Sequence, residues 1–313
     1  MAEPSLAARR GAGRAAGRPP SYEAVRQRFF WACLAPALLV LAVVTGLPLI
    51  YLAVSSLTPF TLTDPAGSWN FARPARNYVQ LLSDGRFLNS LWVQLKLSVF
   101  GVGLQLAIGT LFALGLNRRS RLLEALRPVF LIPMVLPPIV VAIIWKILYT
   151  PDISPLYQAA GALGLQPPAI TADANLALWA IVVADTWQWF PFTLLMVLAA
   201  LQLMPDELVE AAHLDGASAL QATWYVTLPY LKDVLVVAAL FRLVDSVKAF
   251  PLIYILTEGG PGSVTEVTNY YSYLQAFNFS YLGYSSAITV VLVVIVIAAS
   301  ALIFRAAEGT ADA

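Results

Sequence analysis

The chain has very few of the residues on which most enzymes and metal proteins depend. It contains one cysteine, Cys33, one histidine, His213, and only 12% charged residues. One cysteine excludes a disulfide framework and a thiolate metal cluster. A zinc site or a histidine-based catalytic triad needs partner side chains that this sequence lacks. We therefore predict no catalytic residues and no metal site.

Long apolar stretches make up most of the chain instead. Hydrophobic residues account for 59% of it, and the charged fraction is about half of the roughly 25% found in soluble domains. Six stretches can each supply the ~20 residues that cross the ~30 Å hydrocarbon core of a membrane as a helix. They cover about residues 29–57, 87–116, 128–149, 176–203, 233–256 and 282–304. Because a helix satisfies its own backbone in lipid, the predicted fold is an all-α integral membrane protein with six transmembrane helices.

The distribution of lysine and arginine predicts the orientation. With both termini in the cytoplasm, the cytoplasmic segments hold twelve of these residues and the external loops hold three. The twelve are Arg9, Arg10, Arg14, Arg18, Arg26, Arg28, Arg118, Arg119, Arg121, Arg127, Lys232 and Arg305, and the three are Arg73, Arg76 and Arg86. Cytoplasmic segments of membrane proteins carry this excess, so we expect both termini and residues 204–229 in the cytoplasm.

The two ends of the chain are predicted to lie outside the membrane domain. Residues 1–28 combine six arginines with Ala, Gly and Pro, which indicates a disordered basic cytoplasmic tail. A nucleic-acid-binding arm is the alternative, but the membrane span that follows favours a tail, and we predict no nucleic-acid partner. The apolar run 29–57 exceeds the 7–15 residues of a signal-peptide core, which indicates an uncleaved anchor. Residues 306–313 form a second short tail.

One polar segment, residues 204–229, separates the fourth and fifth predicted spans. The acidic pair Asp206–Glu207 favours the start of a helix, and Gly216 is expected to end it. A second helix over residues 217–227 is expected to end at Leu228–Pro229, because the residue before a proline avoids the helical region. On composition alone, an ordinary interfacial loop explains this segment equally well.

The residues within this segment carry a longer pattern. Glu210-Ala211-Ala212-x-x-Asp215-Gly216-Ala217, with Leu228-Pro229 downstream, resembles the EAA loop of permease subunits in binding-protein-dependent ABC importers. In that family the first helix of the loop is the coupling helix, which sits in a cleft of the ATPase subunit. The resemblance implies that Glu210 contacts the ATPase or holds the loop, that Ala211 and Ala212 allow close approach, and that Gly216 makes the turn. The implied ATPase-coupling residues are Glu207, Glu210, Ala211, Ala212, Asp215, Gly216, Leu228 and Pro229.

Two further stretches are similar to sugar-uptake permeases. One is Ile132-Pro133-Met134-Val135-Leu136-Pro137-Pro138 with the following Trp145-Lys146. The other is Phe241-Arg242 and Asp245, followed by Leu252-Ile253-Tyr254-Ile255-Leu256-Thr257 and Gly259-Gly260-Pro261-Gly262. The resemblance therefore runs from about residue 29 to 305 and implies the carbohydrate-uptake branch of the family. The prolines of the third span also predict a kink there.

The resemblance implies an assembly as well. A second permease subunit, two ATPase subunits that bind ATP and Mg, and an extracytoplasmic substrate-binding protein would complete the importer. It would lie in a bacterial or archaeal inner membrane, in contact with lipid, and carry a carbohydrate substrate. This chain is expected to bind no cofactor itself. A Walker A motif is absent, because no lysine follows a glycine; the lysines are Lys96, Lys146, Lys232 and Lys248.

Polar residues within the spans are the candidates for a substrate pathway, because charges inside a membrane are costly and normally face the bundle interior or water. The spacing places two sets on one helical face each: Asp185, Gln188, Trp189 and Phe192 on the fourth span, and Arg242, Asp245, Ser246 and Ala249 on the fifth, with Lys248 nearby. Carboxylates, amides and aromatic rings suit a neutral carbohydrate, although the two cations leave an anionic substrate open. Two structural alternatives also remain, an Arg242–Asp245 ion pair and a helix-end role for Asp185.

Three other functions compete with the importer permease. An ion-gradient-driven secondary transporter of a small polar solute would favour carboxylate relays and repeated halves, of which only Asp185 and Asp245 fit. A membrane enzyme would need a nucleophile–base pair or a metal cluster, and a channel would have no use for the coupling loop. We therefore predict a transport subunit that has no ATPase motif of its own and is not an enzyme.

Overall fold

The computed structural model describes residues 22–65, 69–117 and 121–308. Within these ranges the backbone forms fifteen α-helices and no β-strand. The helices are α1 Tyr22–Leu41, α2 Leu47–Ser56, α3 Arg76–Ser83, α4 Gly85–Leu116, α5 Arg121–Val135, α6 Pro138–Tyr149, α7 Pro155–Ala162, α8 Ala177–Leu203, α9 Asp206–Leu214, α10 Ala219–Ala222, α11 Leu228–Tyr230, α12 Lys232–Ser246, α13 Phe250–Leu256, α14 Thr268–Tyr273 and α15 Leu282–Glu308. The all-α fold class predicted from the sequence is confirmed.

The chain divides into two compact units, of which the first ends at Tyr51. Its described part is α1, a π-helical turn at Ala42–Gly46 and the beginning of α2. Its large apolar side chains are exposed on all sides of the helix, as expected of a segment whose solvent is lipid. Most of the predicted basic tail lies outside the described residues, but its last part, residues 22–28, is already helical. Of the predicted C-terminal tail, residues 306–308 belong to α15, and the remainder is likewise outside the described residues.

Four helical segments in the described residues are long and apolar enough to cross a membrane: Arg26–Ser56, Gly85–Leu116, Ala177–Leu203 and Leu282–Arg305. A fifth crossing is available if Arg127–Val135 and Pro138–Tyr149 act as one span, bent by 99°. The break between α5 and α6, which we call the elbow, follows from Pro137 and Pro138. Pro137 is extended, with φ −57° and ψ 139°, and Pro138 begins α6, where its missing N–H costs nothing. The kink predicted for this span is thus a complete break in the helix.

The predicted fifth span, residues 233–256, is divided in the structure. Helix α12 ends at Ser246 and α13 begins at Phe250, so neither helix reaches the ~20 residues of a straight crossing. The turn between them is closed by hydrogen bonds from the Lys248 and Ala249 amides to the carbonyl groups of Asp245 and Ser246. A hydropathy average over about twenty residues does not detect such a turn, because the turn contains only a few residues.

The second unit, from Leu52 onward, is built on the packing of α4 along α8. The helices approach so closely at Gly109 that an added Cβ would lie 2.6 Å from the Thr193 Cβ atom. One apolar cluster joins α4 and α8 to α6, α13 and α14, and a second joins the later halves of α4 and α8 to the start of α12. Within the same unit, α8 and α12 also bury polar side chains, among them Asp185, Gln188, Arg242 and Ser246.

Candidate functional site

The segment 204–229 begins with a helix where one was predicted. Helix α9 spans Asp206–Leu214 with an acidic first turn, and Gly216 follows it with φ +85°. This left-handed conformation suits glycine, and it lets the Ala217 amide donate to the Ala212 carbonyl at 2.9 Å. Glycine at this position is therefore required by the turn that ends α9.

The second half of the segment differs from the prediction. Helix α10 begins at a capping box of Ser218 and Gln221, and a π-helical turn at Thr223–Thr227 follows it. Leu228 remains helical, with φ −65° and ψ −42°, so the expected end of the helix at Leu228–Pro229 is wrong. The wider π turn gives the physical reason, because it shifts the hydrogen-bond register ahead of Pro229 and makes room for the proline ring.

The surface of this segment carries large apolar side chains that are exposed. Leu214, Leu220, Trp224 and Tyr225 are 89%, 77%, 64% and 74% exposed. The candidate coupling residues Glu207, Glu210, Ala211, Asp215, Gly216 and Pro229 are exposed as well, while Ala212 and Leu228 are half-buried. Exposed large apolar side chains beside acidic ones are typical of a surface that another protein covers.

A buried polar network connects α4, α8 and α12. Gln105 on α4 donates from Nε2 to Asp185 Oδ2 at 2.7 Å and accepts from Arg242 Nε at 2.8 Å. Arg242 also lies 3.9 Å from Asp185 and 3.4 Å from Asp245, and its guanidinium covers the Trp189 ring at 4.4 Å. Because a buried charge is costly unless it is paired and hydrogen-bonded, this network keeps both Asp185 and Arg242 inside the bundle.

A cavity of about 220 Å³ lies beside this network. It lies between α8, the end of α12 with the turn that follows, the start of α13 and the elbow, and its floor and walls carry carboxylate, amide, indole and ammonium groups. The residues that line it are Pro138, Asp185, Gln188, Trp189, Asp245, Lys248, Ala249, Pro251 and Leu252. Lys248 and Asp245 are joined at 2.9 Å, and the second carboxylate of the wall, Asp185, faces the buried Arg242, so the charges at the cavity balance.

The structure brings together five of the eight predicted pathway residues at this cavity: Asp185, Gln188, Trp189, Asp245 and Ala249. The other three do not line it. Arg242 is buried in the network, Ser246 bonds Ser98 at 2.7 Å, and Phe192 packs on Phe241. Of the two structural alternatives, the Arg242–Asp245 ion pair is present, whereas Asp185 lies well inside α8 and not at its end.

Sequence reasoning missed the contribution of α4. Gln94, Ser98 and Gln105 are buried on the face of α4 that meets α12 and α8. Their spacing, four and then seven residues, places them on one helical face, and amides inside an apolar span are a usable signal. Of the two prolines that border the cavity, Pro138 belongs to the stretch for which a kink was predicted, whereas Pro251, the second residue of α13, was not predicted to border a cavity.

Together these features define an all-helical, multi-pass membrane protein with an exposed helical segment and a polar cavity between its helices. The chain belongs to the family of binding-protein-dependent transport system inner membrane components, which its residues 105–308 match. The match contains the whole segment 204–229 and the helices that line the cavity. The chain is therefore a permease subunit of an ABC importer, a transport component rather than an enzyme.

Related proteins agree with this assignment. The chain is 38% identical to a probable ABC transporter permease of Sinorhizobium fredii over 88% of both proteins. It is also 38% identical to the trehalose/maltose transport system permease protein MalF of Thermococcus litoralis, over 71% of this chain and 75% of that protein. A chain in the crystal structure of a bacterial ABC transporter involved in alginate import shares the fold, with a TM-score of 0.78 and 18% identity over 91% of this chain and 97% of that chain.

Proposed function

We propose that this subunit forms half of the pathway for a sugar or related polyol, which an extracytoplasmic binding protein delivers. The observation that carries the proposal is the cavity at Asp185, Gln188 and Trp189, where acceptors, an amide and an indole meet. Hydroxyl groups bond carboxylates and amides, and an indole suits the apolar face of a sugar ring. The trehalose/maltose specificity in the name of the Thermococcus relative points to the same substrate class.

The size and charge of the cavity support two further parts of the proposal. Its volume of about 220 Å³ is below the roughly 300–1,000 Å³ of complete ligand pockets. A second permease subunit would supply the missing wall. Because the two cations Arg242 and Lys248 are matched by the two carboxylates Asp185 and Asp245, a neutral substrate is favoured over an anion.

The exposed segment 204–229 is proposed to couple this pathway to ATP hydrolysis. In the proposed assembly, two ATPase subunits bind ATP and Mg, and α9 with Glu207, Glu210, Ala211, Ala212, Asp215 and Gly216 seats in one of them. Leu228 and Pro229 carry the loop back towards α12. The exposed leucines and aromatic residues of the segment supply the apolar area for this contact. Closure of the ATPases would then move α9 together with the ends of α8 and α12, provided that the ATPases bind the two permease states differently.

The proposed membrane arrangement has six crossings with both termini in the cytoplasm of a bacterium or archaeon. The lysine and arginine asymmetry of the sequence supports this orientation. The α5–α6 pair and the α12–α13 pair would each form one broken crossing. Non-helical backbone at such depth is tolerated where it lines a cavity, and both breaks border the polar cavity.

The experiment that tests the proposal measures coupling. The chain is purified with its co-expressed partners in lipid nanodiscs, and ATP hydrolysis is measured with and without binding protein, maltose or trehalose. We expect stimulation in the wild type and a loss of at least about tenfold of the stimulated rate in Glu210→Lys, equivalent to about 1.4 kcal/mol of activation free energy.

Asp152→Lys provides the matched control, since it makes the same charge reversal at an exposed position far along the chain from the coupling segment. It should retain stimulated hydrolysis. If no ATPase copurifies, and uptake follows a proton or sodium gradient instead, the importer assignment is wrong. Asp185 and Asp245 would then be the leading ion-coupling residues.

A further inference from the structure

Gln188 is a cavity residue on α8 whose side chain also bonds the elbow. It is 1% exposed, it lines the cavity, and its Nε2 atom donates to the carbonyl of Leu136 at 3.4 Å. Leu136 lies at the elbow, directly before the two prolines. One side chain therefore touches both the proposed substrate cavity and the break in the third crossing.

The hydrogen bond to the elbow determines which end of the Gln188 amide can bind another group. A carbonyl oxygen can accept only from the NH₂ group, so the Oε1 atom must point away from Leu136. That Oε1 atom is buried and accepts no hydrogen bond from any residue that the structure describes. A buried acceptor without a donor costs free energy, so a conformation that supplies a donor is favoured.

We infer that Gln188 accepts a hydrogen bond from a substrate hydroxyl and thereby links substrate binding to the position of the elbow. Resting on the proposed function, this inference gives the cavity a specific requirement for a hydrogen-bond donor on the substrate. The hydroxyl donates to Oε1 as the cavity opens, while Nε2 continues to hold Leu136. Substrate therefore stabilises the state in which α8 and the elbow have moved together, which is differential binding to one of two conformations.

The donor requirement can be measured with fluorinated sugars, because a fluorine atom replaces a hydroxyl in size and can accept but not donate. Stimulated ATP hydrolysis is measured in nanodiscs for maltose, trehalose and the series of their monodeoxyfluoro analogues. In the wild type we expect one analogue to need about tenfold more sugar for half-maximal stimulation, equivalent to 1.4 kcal/mol. In Gln188→Met that difference should vanish. Contributions of the binding protein cancel when the two ratios are compared.

Gln94→Met provides the matched control. Gln94 is also a buried glutamine whose Oε1 atom has no hydrogen-bond partner among the described residues, but it does not line the cavity. This variant should keep the hydroxyl-versus-fluorine difference of the wild type. If Gln188→Met keeps that difference too, the inference is overturned. If the wild type shows no stimulation by any sugar, the proposed function has failed instead.

A second readout follows the elbow directly. In a Cys33→Ser background, spin labels at Ile132→Cys and Ile143→Cys, both at exposed positions on the two arms, report the distance across the elbow. Sugar with binding protein should change this distance in the wild type and not in Gln188→Met. A non-hydrolysable ATP analogue should change it in both. A sugar-induced change that persists in the variant contradicts the link through Gln188.

Discussion

Arg242 shows how one buried cation depends on partners from several helices. Its side chain is 1% exposed and contacts Gln105, Asp185, Asp245 and the ring of Trp189. Helical spacing alone predicted that Arg242 and Asp245 share a face of one helix. Helical spacing could not predict Gln105 as a partner, because partners on different helices leave no periodic signal in a single sequence.

Arg242→Met should destabilise the subunit strongly. It leaves Asp185 buried with only Gln105 as a partner, and breaking a buried pair in this way costs about 3–5 kcal/mol. Thermal unfolding of the purified complex in detergent, followed by tryptophan fluorescence, measures the loss.

The companion variants separate charge from packing. Adding Asp185→Leu to Arg242→Met should recover most of the lost stability, since neither charge then remains unpaired. Lys248→Met, which removes a cation that is 71% exposed, should cost less than about 1 kcal/mol. Equal losses in Lys248→Met and Arg242→Met would contradict this account of the network.

At the scale of helices, the close contact of α4 with α8 determines how the polar residues meet. A Cβ atom at Gly109 would lie 2.6 Å from Thr193 Cβ and 2.8 Å from the Phe190 carbonyl oxygen. We expect Gly109→Ala to separate the two helices and to cost about 1–3 kcal/mol through overpacking. The same thermal unfolding measurement detects it.

Gly103→Ala on the same helix is the control for this prediction. Apart from the neighbouring backbone of α4 itself, no heavy atom of the described residues lies within 4 Å of the added Cβ there, so alanine should be neutral or stabilise the helix by up to about 1 kcal/mol. An unchanged or raised melting temperature in Gly109→Ala would show that α4 and α8 are not held at this distance.

Hydropathy located the long helices well, because burial in lipid depends on the average of about twenty residues. It could not show the breaks. The elbow depends on the adjacent Pro137 and Pro138, and the α12–α13 turn depends on local hydrogen bonds over only three residues. The helix end expected at Pro229 is wrong because it too depends on a local feature. The π turn upstream lets the helix continue through the proline.

At the scale of the whole molecule, Asp84 joins parts of the chain that are nearly 200 residues apart. It caps α4 by accepting from the Arg86 and Phe87 amides, and it accepts hydroxyl hydrogen bonds from Tyr271 on α14 and Tyr284 on α15. No pattern in the sequence predicted this junction, because its members share neither a helix nor a spacing.

The junction favours the ionised form of the Asp84 carboxyl. Burial raises the pKa of Asp84, but the hydrogen bonds from Tyr271, Tyr284 and the two amides outweigh it and hold the pKa below its ordinary value of 3.8. Burial and the bond to Asp84 also raise the pKa of Tyr271, so that hydroxyl stays a donor. A lowered carboxyl pKa stabilises the folded state above the unfolded pKa and loses that stabilisation as pH falls through the folded value.

Asp84→Asn tests the sign of this dependence. Asparagine still caps a helix, so the variant removes mainly the carboxylate charge. At pH 7 we expect a loss of about 1 kcal/mol, below the usual worth of charged hydrogen bonds because Asp84 is only half-buried. Between pH 4 and about pH 2 the difference from wild type should shrink towards zero, because the wild-type carboxyl becomes protonated there. Asp152→Asn, at an exposed carboxyl that makes no side-chain hydrogen bond within the described part of the chain, should match wild type throughout. A wild-type advantage that grows on acidification would mean that the tyrosines bind the protonated acid, and that the junction between α4, α14 and α15 does not depend on charge.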